Sequence, residues 1–547
     1  MLSAAACAAP TETVSAPPPD GPAMVAAANP HAVEAGLDAL RAGGSAIDAA
    51  IAVQSVLSLV EPQSSGLGGG AFMMYYDAAT GEITVYDGRE MAPSGVTETL
   101  WLDETGAPLP FLSAWTSGRA VGVPGVIAML ALAHDEHGVL DWSAGFSHAE
   151  RLAADGFEIS PRLHSLIVRA AEISDIEDRE PGAGYFFDAA GNAHPIGYRL
   201  QNPDYANSVR LIGQNWRNFY EGELAEAIVS AVGNGPYPGR MTLEDLANYQ
   251  PVRRDAICRD YRDWSVCGAP PPASGGITVN QILGLLEPYD MSATGPETVE
   301  GWRRFIEASR LSYADRDTYV AAPESMTITP EALLDEAYIA QRAALLDRDT
   351  AIPSVFAGEG GVPGTSHFVI VDDAGNVVSM TTTVEFLFGS TRMAGGFFLN
   401  NQMTDFNFLP LTENGAPHPN AAGPGKRPRS SMSPTLVFDQ DGAFYMGVGS
   451  PGGSSIIAYV AKTIVGVLDW GLTPQDAIEL PNVVGRGDIV RVEDSFPPAL
   501  LGALGELGFT LDANRSENSG LHAVRVLDDG SLEGGADPRR EGVVGEP

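Results

Sequence analysis

One hairpin constrains this chain more than any other feature. The stretch VPGTSHFVIVDDAGNVVSMTTTVEF, residues 362–386, places two β-branched, alternating runs on either side of an Asp-Ala-Gly-Asn turn. The first run covers residues 367–371, and the second ends in Thr381, Thr382 and Thr383. Just upstream lies a loose segment rich in glycine and proline, AGEGGVPG, so the first strand is expected to begin abruptly at Gly364-Thr365. A core hairpin seldom carries so many hydroxyls, and few begin so suddenly.

The rest of the chain supplies what such a hairpin can pair with. Residues 71–76 and 83–86 read as strands around DAATGE. TLVFDQDGAFYMGVGS is a second hairpin turning at Asp441-Gly442, and it runs into the apolar helix PGGSSIIAYVAKTIVGVLDWG. A short hairpin turns at Asp528-Asp529-Gly530. Residues 31–42 read as a helix stopped by Gly43-Gly44. Residues 46–60 read as a buried helix with Ser45 as N-cap and Asp48 in capping-box spacing. Residues 125–345 are mostly amphipathic helix, as in TVEGWRRFIEASRLSYADRDTYV. Helices open the chain, hairpins follow, helices fill the middle, and hairpins with a helix close it. Sheets from the two ends are therefore expected to pair in one layered α/β unit, although 547 residues would allow several domains.

Charge and cysteines narrow the setting. With 70 Asp+Glu against 32 Lys+Arg, the chain lacks the basic footprint that nucleic acid requires, and the acidity reads as solubility. No run of eighteen apolar residues exists, so no membrane-spanning helix is expected. Residues 1–22 lack the basic region and long apolar region of a full signal peptide. They read either as the end of a bacterial lipoprotein signal, with Cys7 the lipidated residue, or as a disordered leader with an incidental cysteine. Cys258 and Cys267 flank RDYRDWSV. A hairpin turning near Arg262-Asp263 would set the two cysteines opposite one another, close enough for a disulfide and indicative of an oxidising compartment. The other reading is two buried thiols, and nine residues is not a zinc spacing.

Several residues could carry chemistry. If the Thr365 hydroxyl attacked the carbonyl of Gly364, the chain would break there and Thr365 would become a new N-terminus. Its α-amine, with an ordinary pKa of about 7.7–8.0, could then serve as base for its own hydroxyl. In GSPGGSS, Gly452 and Gly453 follow a strand and open a helix, where backbone N–H groups can hold an oxyanion. Arg89 in DGREMAP, with Ser430 and Ser431 in KRPRSSMSPT, would make a carboxylate clamp. Gln402 and Asp405 in LNNQMTDF, with Glu385, would make an ammonium clamp. An anion site beside a cation site describes a pocket for the head of a zwitterionic amino acid.

These residues resemble the γ-glutamyltransferase family of N-terminal-nucleophile hydrolases. Its blocks appear in order over nearly the whole chain: EPQSSGLGGGAFMM, DGREMAP, AVGVPG, PPPASGGI, LSYADRD, TSHFVIVDDAGNVVSMTTT, FLNNQMTDF, GPGKRPRSSMSPT and GSPGGSS. The resemblance implies a four-layer αββα sandwich and a precursor that cuts itself between Gly364 and Thr365. That would give a large subunit, residues 23–364, and a small one, residues 365–547, held as a heterodimer. It implies Thr365 as nucleophile, Thr383 as the threonine that tunes it, and Gly452 and Gly453 at the oxyanion. Arg89, Ser430 and Ser431 would hold the α-carboxylate, and Gln402 and Asp405 the α-amine. Glutathione and other γ-glutamyl compounds would be the donors, water, amino acids or peptides the acceptors, and no metal or organic cofactor would be needed. An exported, periplasmic or extracellular protein is expected.

Two departures from the family bear on specificity. Glu385 stands where better-known members have asparagine, which would favour an α-ammonium over acyl groups such as glutaryl that lack one. The segment NFLPLTENGAPHPNAAGPG offers no tyrosine to cover the pocket, which tilts the expectation toward hydrolysis. Two other functions are open on the same scaffold: a glutaryl-type cephalosporin acylase and a non-catalytic exported amino-acid-binding protein.

Overall fold

The computed structural model describes residues 21–348, 350–353, 363–513 and 519–547. Cys7 and the loose segment before the hairpin, as far as Val362, lie outside the described residues.

Thirteen strands form two main antiparallel sheets. They are β1 (Met24–Ala27), β2 (Gly70–Asp77), β3 (Glu82–Gly88), β4 (Val252–Asp255), β5 (Ile257–Tyr261), β6 (Trp264–Gly268), β7 (Pro363–Val371), β8 (Val377–Phe386), β9 (Thr435–Phe438), β10 (Phe444–Gly449), β11 (His522–Val526), β12 (Leu532–Ala536) and β13 (Val543–Gly545). The first sheet has the order β13-β1-β7-β8-β2-β3-β4, and the second β12-β11-β10-β9-β6-β5. The helices that cover them are α1 (Pro30–Arg41), α2 (Ala46–Val60), α3 (Gly275–Leu286), α4 (Val299–Tyr319) and α5 (Ile456–Leu468).

The layering follows from period-2 alternation. Val25, Ala27, Ala71, Met73, Phe368, Ile370 and Met380 face one way and pack with α1 and α2. Their neighbours Met24, Ala26, Phe72, Met74, Val369 and Val371 face the other way, into the core shared with the second sheet and with α3, α4 and α5. The result is helix, sheet, sheet, helix, the expected αββα sandwich. Ser45 caps α2 in a reciprocal capping box with Asp48, as its spacing predicts. The Asp48 carboxylate also accepts N–H groups from Val139 and Leu140 and so ties α2 to the loop beyond.

The region expected to be mostly helical also supplies β4, β5 and β6. β4 (VRRD) is an edge strand whose outward charges dilute the strand signal. β5 and β6 form the hairpin expected around Arg262-Asp263, in which Cys258 pairs opposite Cys267 and the two sulfurs are bonded.

The strand carrying Thr365 starts earlier than expected. In the uncut chain β7 begins at Pro363, and Gly364 and Pro363 continue pairing opposite Glu385 and Phe386. Residues on either side of position 364 interleave in both sheets. In the first, β7 and β8 sit between β1 and β2. In the second, β9 pairs with β6. A chain cut after Gly364 should therefore elute as a single species in native size exclusion and separate only in denaturant. Two fragments that separate without denaturant would contradict this topology.

Candidate active site

Thr365 and Thr383 are directly opposed across β7 and β8, with their hydroxyl oxygens 3.1 Å apart. Proton accounting fixes the direction of this contact. The Glu385 N–H donates to Thr383 Oγ1 at 2.8 Å, and the Thr383 hydroxyl donates to the Gly364 carbonyl at 2.7 Å. A hydroxyl has one proton, so Thr365 is the donor to Thr383. Thr383 therefore polarises the carbonyl of residue 364 while orienting the hydroxyl of residue 365. Arg540 Nη1 holds the Thr365 carbonyl at 2.8 Å. Residue 364 must be glycine, because a Cβ there would lie 2.4 Å from the Gln63 carbonyl oxygen.

Period 2 places Glu385 on the same face as Thr383, but β8 does not keep its period. The register shifts between Thr383 and Glu385, and Glu385 takes φ +81°, a region costly for a residue with a side chain. The bulge turns the Glu385 carboxyl toward Asn401, whose Nδ2 donates to it at 3.0 Å.

Gly452 and Gly453 sit where β10 hands over to α5, with φ of +134° and +55°. A Cβ on Gly452 would lie 2.5 Å from the ring of Tyr459. Among the described residues neither N–H donates to another backbone carbonyl or to a side chain. The turn that follows packs against β7, and the Tyr313 hydroxyl donates to the Ser454 carbonyl at 2.5 Å.

Arg89 is buried at the end of β3. Its Nη2 donates to Asp405 at 2.5 Å and to the Arg429 carbonyl at 2.9 Å, and its Nε donates to the Pro428 carbonyl at 3.1 Å. Gln402 Nε2 also donates to Asp405, at 2.7 Å. The expected anion and cation clamps are thus one connected group, closed on itself through Arg89 and Asp405. Arg89 leads directly to the backbone before Ser430 and Ser431. Beyond the serines, Asp317 lies among Arg316, Arg429 and Arg486, with N···O distances of 2.6, 3.3 and 3.0 Å. The site consequently has an acidic end, with Glu385, Asp405 and Glu90 around one arginine, and a basic end, with three arginines around one aspartate. Burial, followed by the nearby Asp405 charge, pushes the Glu385 carboxyl well above the usual carboxylate range, opposed by Asn401 and Arg89. Burial likewise pushes Glu90 up to about 8, with Arg89 opposing.

Thr365, Thr383 and Glu385 are joined across β7 and β8, Arg89, Gln402 and Asp405 form the second group, Ser430 and Ser431 follow the carbonyls that Arg89 holds, and Gly452 and Gly453 open the turn against β7. Cys258 and Cys267 belong to the β5–β6 hairpin, and Cys7 lies outside the described residues. Four residues joined to the site went unassigned in the sequence. Arg316 donates to Ser431 Oγ at 2.5 Å, and Ser274 donates through N and Oγ to the Ser430 carbonyl. Asn401 pins Glu385 and Phe386, and Arg540 holds Thr365. Arg316 and Ser274 lie in LSYADRD and PPPASGGI, motifs visible in the sequence without a role. Arg540 sits in a polar tail that carries no local signal.

The γ-glutamyltranspeptidase family model matches residues 32–546. The glutathione hydrolase proenzyme of Bacillus subtilis (strain 168) is 36% identical over 95% of this chain and 91% of its own length. Acylase ACY 1 proenzyme of Pseudomonas sp. (strain SE83) is 32% identical over 95% of this chain and 92% of its own. Among solved structures, a cephalosporin acylase from Bacillus halodurans superposes with a TM-score of 0.86 at 28% identity, covering 98% of this chain and 99% of that one. Coverage this complete, on a site whose two threonines face one another across β7 and β8, leaves one assignment: the chain belongs to the γ-glutamyltranspeptidase family.

Proposed function

We propose that this chain is a self-processing γ-glutamyltransferase and glutathione hydrolase. The observation that carries the reading is the hydroxyl relay Thr365–Thr383–Gly364 set beside a site with one acidic and one basic end. In the precursor, Thr365 Oγ1 attacks the Gly364 carbonyl carbon that Thr383 polarises. Its proton passes to the departing Thr365 nitrogen, leaving an ester. Water hydrolyses that ester, freeing the carboxylate of residue 364 and the amine and hydroxyl of Thr365.

In turnover the new α-amine takes the Thr365 hydroxyl proton as Oγ1 attacks the γ-carbonyl of the donor. The Gly452 and Gly453 N–H groups hold the oxyanion. The proton goes to the leaving amine, and a γ-glutamyl ester remains on Thr365. Water or an acceptor amine then takes the acyl group. Arg89, Ser430 and Ser431 hold the α-carboxylate of the donor, and Glu385, Gln402 and Asp405 its ammonium. The large and small subunits remain a heterodimer. The Cys258–Cys267 disulfide fits an exported protein, and no helix among the described residues is long and apolar enough to cross a membrane.

Incubation with a γ-glutamyl anilide and an acid quench tests the reading. A γ-glutamyl adduct on the fragment that begins at Thr365, chased off by water or glycylglycine, is expected. Steady release of aniline with no adduct and no acceptor effect would overturn it.

A further inference from the structure

Ser430 and Ser431 each offer a ligand a hydroxyl proton that no protein group among the described residues takes up, and one buried arginine does most of the holding. Arg316, on α4, donates from Nη2 to Ser431 Oγ at 2.5 Å and from Nε to Ser274 Oγ at 2.8 Å. Ser274 in turn donates both its N–H and its hydroxyl to the Ser430 carbonyl, at 2.8 and 2.6 Å. The Ser430 N–H donates to the Pro272 carbonyl at 2.8 Å, so the serine backbone is fixed from both sides. A guanidinium has donors and no acceptor. Ser431 Oγ must therefore accept from Arg316, and its own proton has to point elsewhere. Ser430 Oγ accepts from the Met432 N–H at 3.1 Å, which frees its proton in the same way. Among the described residues neither hydroxyl proton has a protein acceptor. Arg316 is itself oriented, with Nη1 2.6 Å from Asp317.

We propose that Arg316 is a positioning residue that aims the serine pair at a carboxylate, by donating to Ser431 Oγ so that the Ser431 proton points away from it and, through Ser274, by fixing the backbone of Ser430. The inference rests on the γ-glutamyl reading, and it assigns the motifs containing Ser274 and Arg316 to substrate recognition rather than to packing. A carboxylate, which only accepts, can take both serine protons at once. Arg316, Arg429 and Arg486 around Asp317 add net positive charge behind the same serines.

The test compares two anilides that differ only in the α-carboxylate: γ-glutamyl anilide and 4-aminobutyryl anilide. Arg316→Met is expected to raise KM for the first about 10- to 100-fold, the scale of charge-assisted hydrogen bonds, with a smaller change in kcat. Its kcat/KM for the second should stay within about threefold of wild type, a spread below one ordinary hydrogen bond. Ser431→Ala should show the same split, and the double variant should be no worse than the weaker single, since both changes disable one device. Self-cleavage and melting temperature report whether each variant folds. If Arg316→Met does not fold, Arg316→Lys carries the test. It keeps the charge but cannot reach both serines, and it should move the γ-glutamyl KM alone. Equal losses on both anilides, or additive effects in the double variant, would overturn the positioning role. A wild type with no preference between the two anilides would overturn the γ-glutamyl reading and the subsite together, a distinguishable result.

Discussion

Thr365→Ala is expected to give a single uncut chain and no measurable γ-glutamyl turnover, with a loss on the order of 10⁴-fold or more. Both effects have one origin. In the proposed mechanism the hydroxyl that lies 3.1 Å from Thr383 attacks the Gly364 carbonyl first and substrate afterwards. Removing it leaves Thr383 still donating to that carbonyl but nothing to attack it. Thr383→Ala separates the two parts of the relay. It keeps the nucleophile but removes the donor that polarises the carbonyl, a loss usually worth about 10²- to 10³-fold. Slow self-cleavage is therefore expected in Thr383→Ala, and none in Thr365→Ala. Electrophoresis of freshly purified protein, followed over days, reads both. A Thr365→Ala protein that still divides after residue 364 would remove Thr365 from the self-cleavage step.

Most of the architecture was legible because the strands alternate cleanly and the turns carry their own chemistry. The β9–β10 and β11–β12 hairpins turn where Asp-Gly pairs stand, and Ser45 with Asp48 marks the start of α2. The edge strand β4 was less legible because its charged outward residues obscure the period, whereas the β5–β6 hairpin turns at Arg262-Asp263 as its cysteine spacing suggested. Within the site, the opposition of Thr365 and Thr383 follows from counting residues across a tight hairpin. The place of Glu385 does not, because one bulge at residue 384 breaks the count. Nor could sequence spacing show that Arg89 closes on Asp405, a partner 316 residues away, or that Arg540 reaches Thr365 from the far end of the chain. Such contacts are set by the pairing of sheets from the two ends and have no local signature.

Glu385 should give the protein a strong preference for γ-glutamyl over glutaryl anilide, and that preference should grow with pH. The two acyl groups differ in one ammonium. Placed against a partly desolvated carboxylate pair, a charge of this kind is worth about 2–5 kcal/mol, or from roughly 30-fold to several thousand-fold in kcat/KM. Burial and Asp405 raise the Glu385 carboxyl well above its ordinary range, so it holds its proton at a pH where a free glutamate would not. An arriving ammonium favours the ionised form and expels that proton. Binding of a γ-glutamyl donor should therefore tighten as pH rises through the raised range of Glu385. A glutaryl donor brings no positive charge, so ionisation of Glu385 beside Asp405 should weaken its binding over the same interval. The same sign applies to stability. A carboxyl that holds its proton more tightly when folded contributes stability below its unfolded pKa, and that contribution is lost as pH rises toward the folded value. Glu385→Gln keeps a hydrogen-bonding partner for Asn401 but cannot ionise. It should lower the γ-glutamyl preference by about 10- to 100-fold, part of the full charge effect, and flatten its pH dependence. Specificity ratios measured from pH 6 to 9 for both proteins decide the matter. A wild-type ratio that favours glutaryl, or one that does not change with pH, would place substrate selection elsewhere and favour the acylase reading of this fold.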